Sequence, residues 1–140
     1  MISRARADHY RQTQVETTVM EADPHRLVSM LLSGACDRIR LAEACLERND
    51  QARKGKAIGE ACAIVGHLNG SLDHEAGGEI AGNLSSLYDY VARRLTEANL
   101  NNSSEALRES LGLLSEIGSA WSAIAPPPPR QQGGVTEASA

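Results

Sequence analysis

The sequence predicts an all-α fold, an antiparallel up-down-up-down four-helix bundle, and three observations carry that expectation. Apolar residues recur at spacings of three and four along four separate stretches, the signature of one helical face. Clusters of Gly, Asn, Asp and Ser, residues suited to turns and caps, separate those stretches. With no Phe and one Trp, the core must be built from Leu, Ile, Val, Ala and Met, a set that favours helices. A chain of 140 residues with 41% hydrophobic content suits a single domain.

The first helix is announced by Asp23-Pro24, an N-cap residue followed by proline at the first helical position, and is expected to run to about Asn49-Asp50. Its apolar pattern is broad. Val28, Leu32, Ala35, Ile39, Ala42 and Leu46 form one stripe, and Leu27, Leu31, Gly34, Leu41 and Cys45 form a second beside it. A bundle helix needs one such stripe, so the second is surplus. The N-terminal segment, a dimer or a partner are three covers for it that the pattern leaves open.

The second helix is expected from near Ala52 to Leu72, with Ile58, Ala61, Val65, Leu68 and Leu72 inward. Gly77-Gly78 then breaks the period, and Glu79 places a carboxylate at the positive start of the third helix. Ile80, Leu84, Leu87, Val91 and Leu95 form that helix's inner face, and it ends near Ala98-Asn99. Asp89 and Arg93, four residues apart, suit a local ion pair. After the polar turn Asn101-Asn102-Ser103-Ser104, the fourth helix carries Leu107, Leu111, Leu114, Ile117, Trp121 and Ile124 until Pro126 to Pro129 stop it.

These elements divide the chain into an N-terminal cap segment (1–22), a bundle (23–125) and a proline-rich tail (126–140). The cap has scattered apolar residues, Ala5, Tyr10, Val15, Val19 and Met20, and suits a mobile segment lying along the bundle. The tail has too little apolar surface to offset chain entropy and is expected to be disordered; a polyproline ligand role is the alternative.

Composition narrows the function. A net charge of −4 without a dense basic block argues against a nucleic-acid partner. No apolar run reaches the length of a signal peptide or a membrane span, so a cytoplasmic protein without direct membrane insertion is expected. Cys36, Cys45 and Cys62 contain no Cys-x-x-Cys pair and read as free core or boundary thiols.

Neither of two candidate chemistries fits well. His67, His74, Glu75 and Glu79 cluster near one turn, but their spacing matches no common zinc pattern. A histidine phosphotransfer bundle using His67 is the alternative functional class, yet Gly70 stands one position earlier than that signature requires. No phosphate loop, nucleophile elbow or Cys-His arrangement is present. A non-enzymatic binding protein without cofactor or metal is therefore expected.

A resemblance sharpens this. Ala22-Asp23-Pro24-His25-Arg26-Leu27-Val28-Ser29-Met30-Leu31-Leu32-Ser33-Gly34-Ala35, Lys54-Gly55-Lys56-Ala57-Ile58, Ser71-Leu72-Asp73, Gly77-Gly78-Glu79-Ile80-Ala81 with Asn83-Leu84, and Leu87-Tyr88-Asp89-Tyr90-Val91 with Arg93-Arg94-Leu95 follow one another collinearly. Leu113-Leu114 and Trp121 continue the series, and Tyr10 with Val15-Glu16-Thr17 looks like an N-terminal cap. Together they resemble the flagellin-specific export chaperones of the FliS family. Val91, where a methionine is common, and Ala7, where a larger apolar residue is expected, depart from that pattern.

The resemblance implies a chaperone that binds the C-terminal segment of flagellin, prevents premature polymerisation and keeps the subunit competent for flagellar type III export. It implies a second partner, an export-gate membrane protein, and a monomer or weak dimer when free. The partner-binding residues expected are Tyr10, Leu27, Leu31, Gly34, Leu41, Ile58, Val65, Tyr88, Tyr90 and Arg94, with the floor of the track on the first two helices.

Overall fold

The computed structural model describes residues 23–124. They form four helices and no strand: α1 (Pro24–Glu47), α2 (Gln51–Gly70), α3 (His74–Asn101) and α4 (Ser104–Ala123). The cap segment with Tyr10 and the proline tail lie outside the described residues.

Each helix starts on a side-chain cap. Asp23 accepts from Arg26 N at 3.1 Å, Asp50 from Arg53 N at 3.2 Å, Asp73 from Ala76 N at 3.0 Å, and Ser103 Oγ from Ala106 N at 3.0 Å. Each such cap satisfies an amide left free by the helix and contributes about 1 kcal/mol. Two of the connections turn on an asparagine in the left-handed region, Asn49 (φ 60°) and Asn102 (φ 52°). Asn49 makes α1 stop at Glu47, earlier than expected, and frees Asp50 to cap α2. Asn102 lets α3 run past Ala98-Asn99, with Ser103 N returning to Ala98 O at 3.2 Å.

The third helix corrects the expected boundary. It starts at His74 on the Asp73 cap, before the glycine pair, and the pair bends it instead. Gly78 has φ 52° and ψ −124°, a conformation open to glycine and costly for other residues, so the helical period does break there and resumes with Glu79. The inward face also differs from the expected one. Ile80 is 70% exposed, while Ala81, Tyr88, Val91, Leu95 and Ala98 are buried and Leu84 packs on them. A tyrosine ring occupies core volume that no phenylalanine is present to fill.

The helices pack as a ring, α1 on α2, α2 on α3, α3 on α4 and α4 on α1, with no close backbone approach across either diagonal. His25 meets Trp121, Cys36 meets Ser115, and Glu43 meets Arg108, so α1 and α4 run in opposite senses. Lys54 with Asn99 and Asn69 with Asp89 give the same relation between α2 and α3. Leu32, Ala35, Ile39, Ala57, Ile58, Ala61, Val65, Leu68, Leu107 and Leu114 fill the centre with those α3 residues. The many alanines permit close helix approach, and the apolar burial supplies the main stabilisation.

Candidate functional site

The surplus stripe on α1 is divided by the fold. Cys45 is 2% exposed and belongs to the core, whereas Leu27, Leu31 and Gly34 are half-buried and Leu41 is 50% exposed. Met30, 41% exposed, lies one turn before Gly34. This flank of α1 borders α2: a Cβ at Gly34 would sit 3.7 Å from Ile64 Cδ1, and Arg38, one turn further, donates to Glu60 at 3.3 Å. From Leu27 to Leu41 the flank extends about 20 Å at the helical rise per residue. It is a shallow apolar track crossed by a single partly exposed ion pair.

Two expected residues of α2 lie beneath this track. Ile58 and Val65 are 2% and 1% exposed and face the bundle centre. Ile64 is the α2 residue beside Gly34, and sequence reading passed over it because it falls one position off the inner face. Tyr88, 3% exposed, is likewise in the core, and burial pushes its phenol up in pKa. In this conformation Ile58 and Val65 present no side chain to a partner, and Tyr88 reaches open space only as part of an apolar cavity wall at the end of the bundle.

Tyr90 and Arg94 stand on the far side of the ring, between α3 and α4. Tyr90 Oη donates to Glu109 at 2.9 Å, and Arg94 Nε donates to the same carboxylate at 2.6 Å. Arg94 also donates to Glu97 at 2.9 Å, and the guanidinium of Arg93 lies 5.9 Å from the Tyr90 ring centroid. The Arg94 and Tyr90 hydrogen bonds hold Glu109 below the usual carboxylate range, and Glu109 pushes the Tyr90 phenol up. Arg93 makes no pair with Asp89, which instead accepts from Asn69 Nδ2 at 2.9 Å. The expected local pair gives way to a contact between helices.

A third feature sits at the end of the bundle where α1 begins and α4 finishes. A cavity of about 390 Å³ opens there among Val28, Leu32, Leu68, Leu72, Leu84, Tyr88, Ile117 and Trp121. Its edge is held by His25 and Trp121, whose rings stack with centroids 4.5 Å apart and planes at 9°. The indole Nε1 donates to His25 O at 2.9 Å, and His25 Nε2 donates to Trp121 O at 2.9 Å. No local sequence signal could reveal a contact spanning 96 positions.

The cysteines are free. Cys36 and Cys45 are buried, and burial pushes the half-buried Cys62 thiol up. His67 is exposed on α2, and among the described residues no three His, Cys, Asp or Glu side chains converge on one point. No described helix is long and apolar enough to cross a membrane.

The described surface thus carries a shallow apolar flank, a polar cluster opposite it and an apolar end cavity. The family model for the flagellar protein FliS matches residues 6–128. The chain belongs to the FliS family. The flagellar secretion chaperone FliS of Salmonella typhimurium is 48% identical over 118 residues, covering 84% of this chain and 87% of that protein. The flagellar secretion chaperone FliSB of Pseudomonas aeruginosa is 44% identical over 115 residues, covering 82% and 91%. The Bacillus subtilis FliS chaperone is 34% identical over 112 residues, covering 80% of each chain. The FliS match includes the Tyr10 segment and all four helices.

Proposed function

We propose that this FliS-family chain is a cytoplasmic, non-enzymatic chaperone that binds the C-terminal segment of flagellin, prevents its premature polymerisation and keeps it competent for type III export. The observation that carries this reading is the α1 flank of Leu27, Met30, Leu31, Gly34 and Leu41, apolar surface that the bundle leaves incompletely covered. A partner disordered alone loses entropy on binding, and a long apolar track compensates by burying many of its side chains in succession. Gly34 lets the partner backbone approach closely.

Tyr90 and Arg94 lie on the opposite flank, so they take part only with a partner that wraps around the bundle. A single straight helix reaches one flank. Ile58, Val65 and Tyr88 then support the track walls from within. Tyr10 belongs to a cap segment that moves when flagellin binds, and an export-gate membrane protein is the second partner. The free chain is a monomer or weak dimer.

Calorimetry with the C-terminal segment of the cognate flagellin tests the reading, and absence of a complex would sink it. Leu41→Asp puts a charge at a half-exposed position, leaving the helix content by circular dichroism unchanged. Burying the exposed half of one leucine is worth about 1 kcal/mol, so its loss weakens binding roughly fivefold or more. Unchanged affinity would move the track off this flank.

A further inference from the structure

The apolar end cavity lies where the described chain leaves α4. Its walls include Val28, Leu68, Leu72, Leu84 and Trp121, and Asp73 stands on its rim. Trp121 is half-buried and belongs to the last turn of α4; Ile124, three residues on, is 65% exposed and ends the described chain. The sequence therefore leaves the helix at the cavity wall, and it continues as Pro126-Pro127-Pro128-Pro129-Arg130. We propose that the end cavity is the docking site for this Pro126–Arg130 segment, which lies over Trp121 and sets Arg130 against Asp73.

Length, stiffness and charge favour that segment. Four prolines in the polyproline II form span about 12 Å, enough to cross the roughly 8–10 Å between the axes of neighbouring helices. That step leads from the end of α4 to the start of α3, where Asp73 and Glu75 place two carboxylates and Arg130 brings a cation. Prolines have little backbone freedom left to lose, and their rings pack well on an aromatic wall, as in other polyproline sites. Tethering a few residues from the cavity raises the local concentration of the segment to about the millimolar range. Residues 1–22, the other segment outside the described bundle, carry Glu21 two positions before Asp23, a negative rather than a positive charge next to the start of α1 in sequence. Residues after 128 fall outside the FliS family match, so this docking would belong to a subset of family members that carry such a tail. It does not depend on flagellin binding to the α1 flank.

The single tryptophan of the chain stands in the cavity wall and reports the occupant directly. In the full-length protein, nuclear Overhauser contacts are expected between the Trp121 indole protons and proline δ protons. Replacing Pro126 to Pro129 by Gly-Ser-Gly-Ser at unchanged length removes those contacts, shifts Trp121 emission to the red and raises its quenching by acrylamide, with helix content unchanged. Arg130→Glu shifts emission the same way, more at low salt than at high. Absence of the contacts in the unaltered chain, or emission and quenching unmoved by the Gly-Ser replacement, overturns the proposal. So does a shift produced by Val19→Ser with Met20→Ser and not by the proline replacement, which assigns the cavity to residues 1–22.

Discussion

The ammonium of Lys54 donates to the side-chain carbonyl of Asn102 at 2.6 Å, tying the first turn of α2 to the cap that ends α3. The same ammonium donates to Asn99 O and Gln51 Oε1, each at 2.9 Å, so all three of its protons are used although the residue is 3% exposed. No carboxylate takes part. The compensating charge is the negative end of the α3 dipole, where free carbonyls converge.

Lys54→Met is expected to destabilise the bundle by about 1.5–3 kcal/mol, because three hydrogen bonds from a charged donor are lost. Urea unfolding followed at 222 nm measures this. A loss within ±0.5 kcal/mol would mean that water replaces the ammonium at no cost.

Gly34 separates stability from binding. A Cβ there would meet Arg38 Nη1 at 3.5 Å and Ile64 Cδ1 at 3.7 Å, ordinary contact distances. Gly34→Ala should therefore raise stability by about 0.5–1 kcal/mol through helix propensity alone. If a partner backbone passes over this position, the same substitution weakens the complex in calorimetry. Equal affinity with raised stability would show that the partner does not approach there.

Gly78 is the position at which the α3 backbone demands glycine. With φ 52° and ψ −124°, Gly78→Ala should cost roughly 1–3 kcal/mol, whereas open space around the Cβ means that no clash contributes. Thermal unfolding of this variant beside Gly82→Ala, an exposed helical position on the same element, makes the comparison. A loss at 78 no greater than at 82 would remove the strain explanation.

Acid should loosen the contact between α3 and α4. Hydrogen bonds from Arg94 and then Tyr90 lower the folded-state pKa of Glu109 below its unfolded value. A depressed carboxylate contributes stability above the unfolded pKa, about 4.3 for glutamate, and loses it as pH falls through the lower folded value. Glu109→Gln should flatten that part of the stability profile in acid unfolding experiments. An identical profile in both proteins would show that solvent screens the interaction completely.

Much of the fold was legible because helix signals are local. The Asp23-Pro24 start, the 58/61/65/68 face and the Leu107–Leu114 face each follow from neighbours within a few residues. Element ends were less legible, since Asn49 and Asn102 act through left-handed backbone, and residue type alone does not tell Asn102 from its neighbour Asn101. Of the candidate site, the apolar excess on α1 was visible as a pattern, but its division was not. Cys45 turned into the core while Leu41 stayed outside, and the difference between them is set by where α2 lies.

By itself the sequence determined four helices, their order and the family they belong to, because period, caps and collinear motifs are all written along one dimension. Only the tertiary structure decided that Tyr88 fills the core, that Tyr90 and Arg94 face away from the α1 track, and that His25 closes on Trp121. These depend on the phase at which helices meet. That phase is not written in any residue's own neighbours, and a few tens of degrees of rotation move a side chain from interior to surface.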